Sequence, residues 1–267
     1  MKNWASAGGA LRRSVNSHQS EPVILQFRNG KVLDGVDPSL AIAYLHYYDF
    51  ARKMGTYSDA DFQVVVSLGA EITRSLSTKF SPGEMSHSST GARFGVHNVF
   101  LFLTVRKYRP RRIVETGVAQ GVSSYTMLKA LELNGQGSLI SIDLPNRNPA
   151  GFNYRDGSHD AVYVPGDLPP GWLVPEDLRG AWSLKLGSSS SILPTLEGEI
   201  DMFHHDSEHS YENMMFEFEW AFSHLGKGGI VSSDDIDWNN AYRDFARRHP
   251  EMKPVEFSKV FPALMKI

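Results

Sequence analysis

The stretch from Phe203 to Met214, FHHDSEHSYENM, holds three histidines, one aspartate and two glutamates. Imidazole can carry a proton near neutral pH and carboxylates can hold a hard cation, so the stretch admits proton transfer, metal binding or a polar helix start. Its neighbours must decide among these. The run EIDMFHHD reads as a strand, which puts Asp206 at the strand's carboxyl end. The next such run, GGIVSSDD, ends in Asp234 and Asp235. On adjacent strand ends the three carboxylates converge, and like charges repel unless a cation lies among them. The chain has no cysteine, so any metal must be held by oxygen or imidazole; hard oxygen ligands suit Mg²⁺, Mn²⁺ or Ca²⁺, with Mg²⁺ the expected divalent cation. Capping is the alternative: Asp206 on a helix beginning near Glu208, and Asp234 on the segment after it.

His209 follows Asp206 by three residues, where a neutral imidazole could take a hydroxyl proton or serve as a fourth ligand. His204 and His205 are consecutive strand residues and so face opposite layers. They cannot both join Asp206, and they read as hydrogen-bonded core histidines. Glu208 and Glu212 are favourable near a helix N-terminus by charge alone. Tyr211 is packing or the edge of a substrate site.

A second constellation lies upstream. VETGVAQGVSS follows a strand and opens a helix, with Gly117 and Gly121 where the backbone must turn tightly and a ligand could approach. The next strand, LISIDL, ends in Asp143, whose carboxylate could accept both ribose hydroxyls of a nucleoside. A dinucleotide loop would read G-x-G-x-x-G; here Ala119 lies between the two glycines and Glu115 precedes them. A tight turn without any ligand would use the same glycines.

These residues need elements to position them. Of 267 residues, 41% are hydrophobic and 21% charged, enough for one substantial core, and the net charge of −3 lacks the basic footprint of a nucleic-acid binder. No apolar run approaches the roughly 18 residues of a membrane span and the N-terminus lacks an apolar signal core, so a cytoplasmic protein without membrane contact is expected. The first twenty residues read as a loose arm, and Asn29-Gly30 sets a hairpin turn. Apolar residues then recur at three and four in PSLAIAYLHYYDFARKM, DADFQVVVSLGAEITRSL and VHNVFLFLTVRKY, which predicts three helices. From residue 110 onward short β-branched runs alternate with helical ones, which means βαβ units and a parallel sheet with helices on both faces. The expected division is an arm, hairpin and helical subdomain over 1–109 and an α/β domain over 110–267.

Taken together, VETGVAQGVSSYTMLKAL, LISIDL, LKLGSSSSILPTL, DMFHHDSEHSYENM and GKGGIVSSDD resemble the class I S-adenosylmethionine-dependent methyltransferases over residues 110–240. The tail of the pattern resembles the metal-dependent macrocin and mycinamicin sugar O-methyltransferases and the cephalosporin-hydroxylase-like group. The resemblance implies a Rossmann-like, doubly wound, mostly parallel seven-stranded sheet. It implies that Gly117, Ala119 and Gly121 line the methionine part of S-adenosylmethionine, that Glu115 sits beneath it and that Asp143 binds the ribose. Ser188 and Ser189 would lie near the adenine, although many relatives carry an acid where this chain has Ser188, and a helix N-cap run explains these serines equally well. Asp206, Asp234 and Asp235 would hold the cation and His209 would be the general base.

The expected activity is methyl transfer to a hydroxyl of a small molecule or sugar. The segment with His87 and Arg93 (residues 81–95) and the insertion with Arg147, Tyr154, Arg155 and Trp172 (144–180) could close over the acceptor, or be plain loops. An NAD(P)-dependent oxidoreductase is the alternative, but it lacks its middle glycine and leaves the carboxylate trio without a role. A non-catalytic nucleoside-binding module is a third, against which the intact trio and loop argue. The helical N-terminus, with its aromatics, could pack against another copy of the chain.

Overall fold

A computed structural model describes residues 23–26, 32–36, 38–53, 55–56, 58–81, 92–145, 152–153, 159–160, 164, 168–255 and 261–267. The arm, the Asn29-Gly30 turn, His87, Arg147, Tyr154 and Arg155 lie outside the described residues. The chain forms two compact units, 1–66 and 67–267. The expected division fell at 109/110, whereas here the second half of one helix and the whole of the next go with the sheet.

In the first unit, β1 (Val23–Gln26) pairs antiparallel with β2 (Val32–Val36), as the hairpin signal predicts. The helix α1 (Pro38–Lys53) follows, and then α2 (Asp59–Leu76), whose second half belongs to the other unit. Ser58 caps α2 by accepting from the Asp61 N–H at 2.9 Å. Within the unit, Phe62 packs its ring among Tyr44, Tyr47 and Tyr48, with the nearest centroid at 5.7 Å.

The second unit is built on one sheet of seven strands: β3 (Arg112–Thr116), β4 (Ser138–Asp143), β7 (Trp182–Leu186), β8 (Ile200–His205), β9 (Leu225–Ser233), β10 (Met252–Pro254) and β11 (Ala263–Lys266). A separate two-stranded pair, β5 (Phe152–Asn153) and β6 (His159–Asp160), lies in the insertion, where a short helix at most was expected. A 3₁₀ turn at Glu176–Ala181 supplies that short helix. The sheet order is β10-β11-β9-β8-β3-β4-β7, parallel from β9 to β7, with β11 and β10 antiparallel. The chain runs outward from β3 through β4 to β7 and then returns to the other side of β3 for β8. That reversal opens a crevice outside the carboxyl ends of β3 and β8, the place where such sheets bind ligands.

The helices α3 (Val96–Tyr108) and α4 (Val122–Asn134) pack against each other, and Asn134 closes their junction by donating to the carbonyl of Val105 at 2.8 Å. Nearly every side chain of α3 from Asn98 to Val105 is buried, as expected of a helix that is apolar all round. Across the sheet, α5 (Ser189–Ile192), α6 (Tyr211–His224) and α7 (Ala241–Arg248) enclose a core of Val114, Phe203, Met214, Phe218, Val231 and Phe245. Strand alternation therefore assigns each residue of β8 to one helical layer or the other.

Candidate active site

The glycine loop follows β3. Gly117, Ala119 and Gly121 all have positive φ, at 82°, 47° and 89°, so the loop turns through left-handed conformations that favour glycine. Space is also taken from within the chain. A Cβ on Gly117 would lie 1.8 Å from the carbonyl oxygen of Asp206, and one on Gly121 would lie 2.7 Å from the Cα of Gly171. Both glycines let chain approach chain: Gly117 joins the ends of β3 and β8, and Gly121 seats the insertion on the start of α4. The insertion is bonded to the loop by Gly171 N–H to the Ala119 carbonyl at 2.8 Å and by the Trp172 indole to Gln120 at 2.6 Å.

Glu115 is fully buried and accepts hydroxyl hydrogens from Ser123 at 2.5 Å and from Ser124 and Ser141 at 2.6 Å. Burial pushes its carboxyl above the usual range, with the three serines pulling the other way. It braces the loop from beneath, tying β3 to α4 and β4. Asp143 accepts from the N–H groups of Val118 at 3.1 Å and Ala119 at 2.8 Å through one oxygen, and from Leu144 at 2.7 Å through the other. Burial raises its pKa against those three donors. A carboxylate has about four lone-pair directions, so one is left for a ribose hydroxyl. Next to it the apolar surface is exposed: Leu144 by 37% and Leu186, the register partner of Asp143, by 53%. A carboxylate beside open leucines fits a nucleoside.

Ser188 is the N-cap of α5, accepting from Ser191 N–H at 3.3 Å, and its hydroxyl lies 2.9 Å from that of Ser191. Ser189 donates to Asn213 at 3.2 Å. The capping reading of the serine run is the one these bonds support.

His204 and His205 face opposite layers and are both fully buried. His205 Nδ1 lies 2.6 Å from Glu217, an α6 carboxylate that is itself fully buried and that also accepts from Thr116 at 2.5 Å, Ser207 at 2.7 Å and Asn213 at 3.0 Å. Burial would raise the pKa of Glu217, but the His205 imidazole and the hydroxyl donors outweigh it and hold the carboxyl below its usual range. The His205 Nε2 is buried without a partner among the described residues. On the other face, His204 meets His97 of α3, and His97 Nδ1 lies 3.3 Å from Asp234. Burial opposes the charge on Asp234, yet the adjacent His97 holds its carboxyl well below the usual range. Neither His97 nor Glu217 is among the sequence candidates, although Glu217 leaves a trace: it shares the 214, 217, 218, 221 stripe with apolar residues of α6.

His209 is buried, only 6% exposed, between the rings of His205 (centroids 5.2 Å) and Trp238 (5.3 Å). Asn239 holds its backbone carbonyl at 2.8 Å. The helix α6 begins at Tyr211 with Ser210 as its cap, so Asp206 does not cap it. Tyr211 donates to Asp244 at 3.2 Å, a packing role.

Asp206 extends the strand ladder, its N–H donating to the Thr116 carbonyl at 2.9 Å, and the Asp234 N–H donates to the His205 carbonyl at 2.9 Å. Both acids thus stand at the carboxyl edge, as expected. Asp235 takes a left-handed φ of 45°. Among the described residues no three His, Asp or Glu side chains are arranged to hold a metal ion, and Asp234 is turned to an imidazole. The expected trio of Asp206, Asp234 and Asp235 therefore does not fit a shared cation in this arrangement.

Residues 114–236 match the family profile described as a methyltransferase domain. Among solved structures, the chain is similar to the SAH-bound Podospora anserina methyltransferase PaMTH1 (16% identity, 74% of this chain and 85% of that one, TM-score 0.48). It is similar also to a Bacillus cereus O-methyltransferase in complex with SAH (16%, 80% and 100%, 0.48). A third is the O-methyltransferase TomG from Streptomyces achromogenes, involved in tomaymycin synthesis and bound to SAM (18%, 84% and 96%, 0.44). No curated protein matches the chain. Residues 114–236, which carry the glycine loop and its acid at the crevice of this sheet, are thus similar to the methyltransferase-domain family.

Proposed function

We propose that the chain methylates a hydroxyl oxygen of a small molecule or sugar. The observation that carries this reading is Asp143, held at the tip of β4 by the glycine-loop amides and flanked by exposed Leu144 and Leu186. When bound, S-adenosylmethionine supplies a methyl group on a sulfonium, an electrophile that needs only an aligned nucleophile. The acceptor side is the edge at Asp206, Asp234 and His209, rich in groups that orient a hydroxyl. His209 receives the hydroxyl proton as the oxygen bonds to the methyl carbon; its ring is packed beside that of Trp238, which is 47% exposed. An oxidoreductase reading would leave His209 and the acids unused.

Calorimetric titration with S-adenosylhomocysteine tests the cofactor half, and absence of binding ends the proposal. For the base, His209→Ala is expected to keep cofactor affinity within about twofold while methyl transfer to a panel of sugar and phenolic hydroxyls drops by roughly 10²-fold or more. Unchanged turnover would remove His209 from the role.

A further inference from the structure

Trp172 stands in the insertion that the sequence offers as a cover for the acceptor, but its indole is given to the glycine loop: Nε1 donates to the Gln120 side chain at 2.6 Å, and Gln120 is fully buried. The neighbouring backbone follows the same course, with Gly171 N–H donating to the Ala119 carbonyl at 2.8 Å and Leu173 N–H to the Gln120 carbonyl at 3.2 Å. Three consecutive insertion residues thus bond to two consecutive loop residues. The contact has no slack: a Cβ on Gly171 would lie 2.3 Å from the ring of Trp182, and one on Gly121 would lie 2.7 Å from the Gly171 Cα. Trp182, with the Arg179 guanidinium over its ring, sends its own indole N–H to Ser141 at 2.8 Å, and Ser141 donates to Glu115 at 2.6 Å.

The loop has a residue that needs such support. Ala119 takes a left-handed φ of 47°, a conformation in which a Cβ crowds the following carbonyl oxygen, so it persists only where the surroundings over-determine it. Ala119 is held at both of its polar groups: its N–H donates to the Asp143 carboxylate at 2.8 Å, and its carbonyl accepts from Gly171. The same Asp143 oxygen takes the Val118 N–H at 3.1 Å. Asp143 holds the loop from the sheet side, and Gly171, Trp172 and Leu173 hold it from the other. With the outer bonds broken, the Ala119 peptide is free to leave its left-handed turn, and Asp143 then loses donors that aim its open lone pair. The ordering of the loop would fall on ligand binding and weaken it. Burial alone would need only an apolar contact, whereas here three N–H groups are aimed at loop oxygens.

We propose that Gly171 and Trp172 are positioning residues for cofactor binding: they brace the glycine loop from outside and pre-set the Ala119 turn and, through it, the open direction of Asp143. The inference rests on the S-adenosylmethionine reading of the loop and adds that affinity for the cofactor is set in part by the insertion.

The test is amide hydrogen exchange of the full chain without ligand, read residue by residue by NMR in the wild type, Trp172→Phe, Gln120→Leu and the double variant, beside calorimetric titration of each with S-adenosylhomocysteine. Trp172→Phe keeps an aromatic ring and removes the N–H. The expected result is exchange at Val118 and Ala119 about tenfold faster or more in each variant, with the amides of β3 and β8 unchanged. Affinity for S-adenosylhomocysteine is expected to fall roughly three- to tenfold, the worth of one hydrogen bond. Because both single changes break the same bond, the double variant should bind no more weakly than the weaker single one. Unchanged exchange at Val118 and Ala119, a change spread evenly over the strand amides, an affinity within about twofold of wild type, or additive losses in the double variant would each overturn the proposal. If the wild type itself does not bind S-adenosylhomocysteine, the methyltransferase reading falls, and the exchange rates still decide whether the insertion braces the loop.

Discussion

His204 and His205 are neighbours in the chain and opposites in the fold. His205 ends in Glu217, a carboxylate sealed in the core with four donors on its two oxygens; His204 leads through His97 to Asp234, a carboxylate that reaches solvent. The first network is sealed from solvent, holds Thr116, Ser207 and Asn213 in place, and packs the His205 ring against His209. The second ends where an acceptor would sit. Pleating alone sends one histidine to a sealed carboxylate and the other towards one that reaches solvent.

The comparison breaks most visibly at the buried end. Removing Glu217 leaves His205 and two hydroxyls without their acceptor, so Glu217→Ala is expected to cost about 3–5 kcal/mol. His97→Ala breaks a pair whose carboxylate is still hydrated but leaves the buried His204 Nε2 without its partner, and should cost about 1–3 kcal/mol. Urea unfolding of both variants measures this; equal costs would erase the distinction. Acid sharpens it further. Glu217 has its pKa lowered by folding, so its contribution is present above the ordinary carboxyl value near ~4.3 and is lost as pH falls through the lower folded value. Glu115 and Asp143 are raised, so their charging costs stability as pH rises from that ordinary value through the folded one. In Glu217→Gln the decline of stability below about pH 4.3 should flatten.

What could be read from sequence follows the same division. The strand ends are local: RIVET, SLISID and IDMFHH carry their own β-branched pattern, so Glu115, Asp143 and Asp206 could be placed on one edge before any packing was known. His97 had no such signal, because its partner Asp234 is far along the chain on another element. Gly121 was legible as a turn, but its need for an absent side chain comes from Gly171 in an irregular insertion. Glu217 was legible in principle, as an acid on the buried stripe of an amphipathic helix, yet its partners come from β3, β8 and the loop after β8. Strand ends fix where backbones stop and leave side chains free to turn, as Asp234 turns to His97.

On the cofactor side the acids differ again, Glu115 spent on three serines and Asp143 with one direction open. Asp143→Ala should weaken S-adenosylhomocysteine binding roughly 10- to 100-fold, the usual worth of a hydrogen bond to a charged group. An affinity within twofold of wild type would take Asp143 out of the ribose contact.

The smallest effect separates a cap from a ligand. Ser188 accepts from Ser191 N–H at the start of a four-residue helix whose side chains are largely exposed, so Ser188→Ala should cost about 0.5–1 kcal/mol of stability at most. If its hydroxyl also met the adenine, the same change would lower cofactor affinity severalfold. The structure gives that hydroxyl two serine hydroxyls and one amide as neighbours, so affinity is expected to stay within twofold. Calorimetry on this one variant, set beside Asp143→Ala, shows whether the adenine end of the site is recognised by polar contact or only by the apolar surface of Leu144 and Leu186.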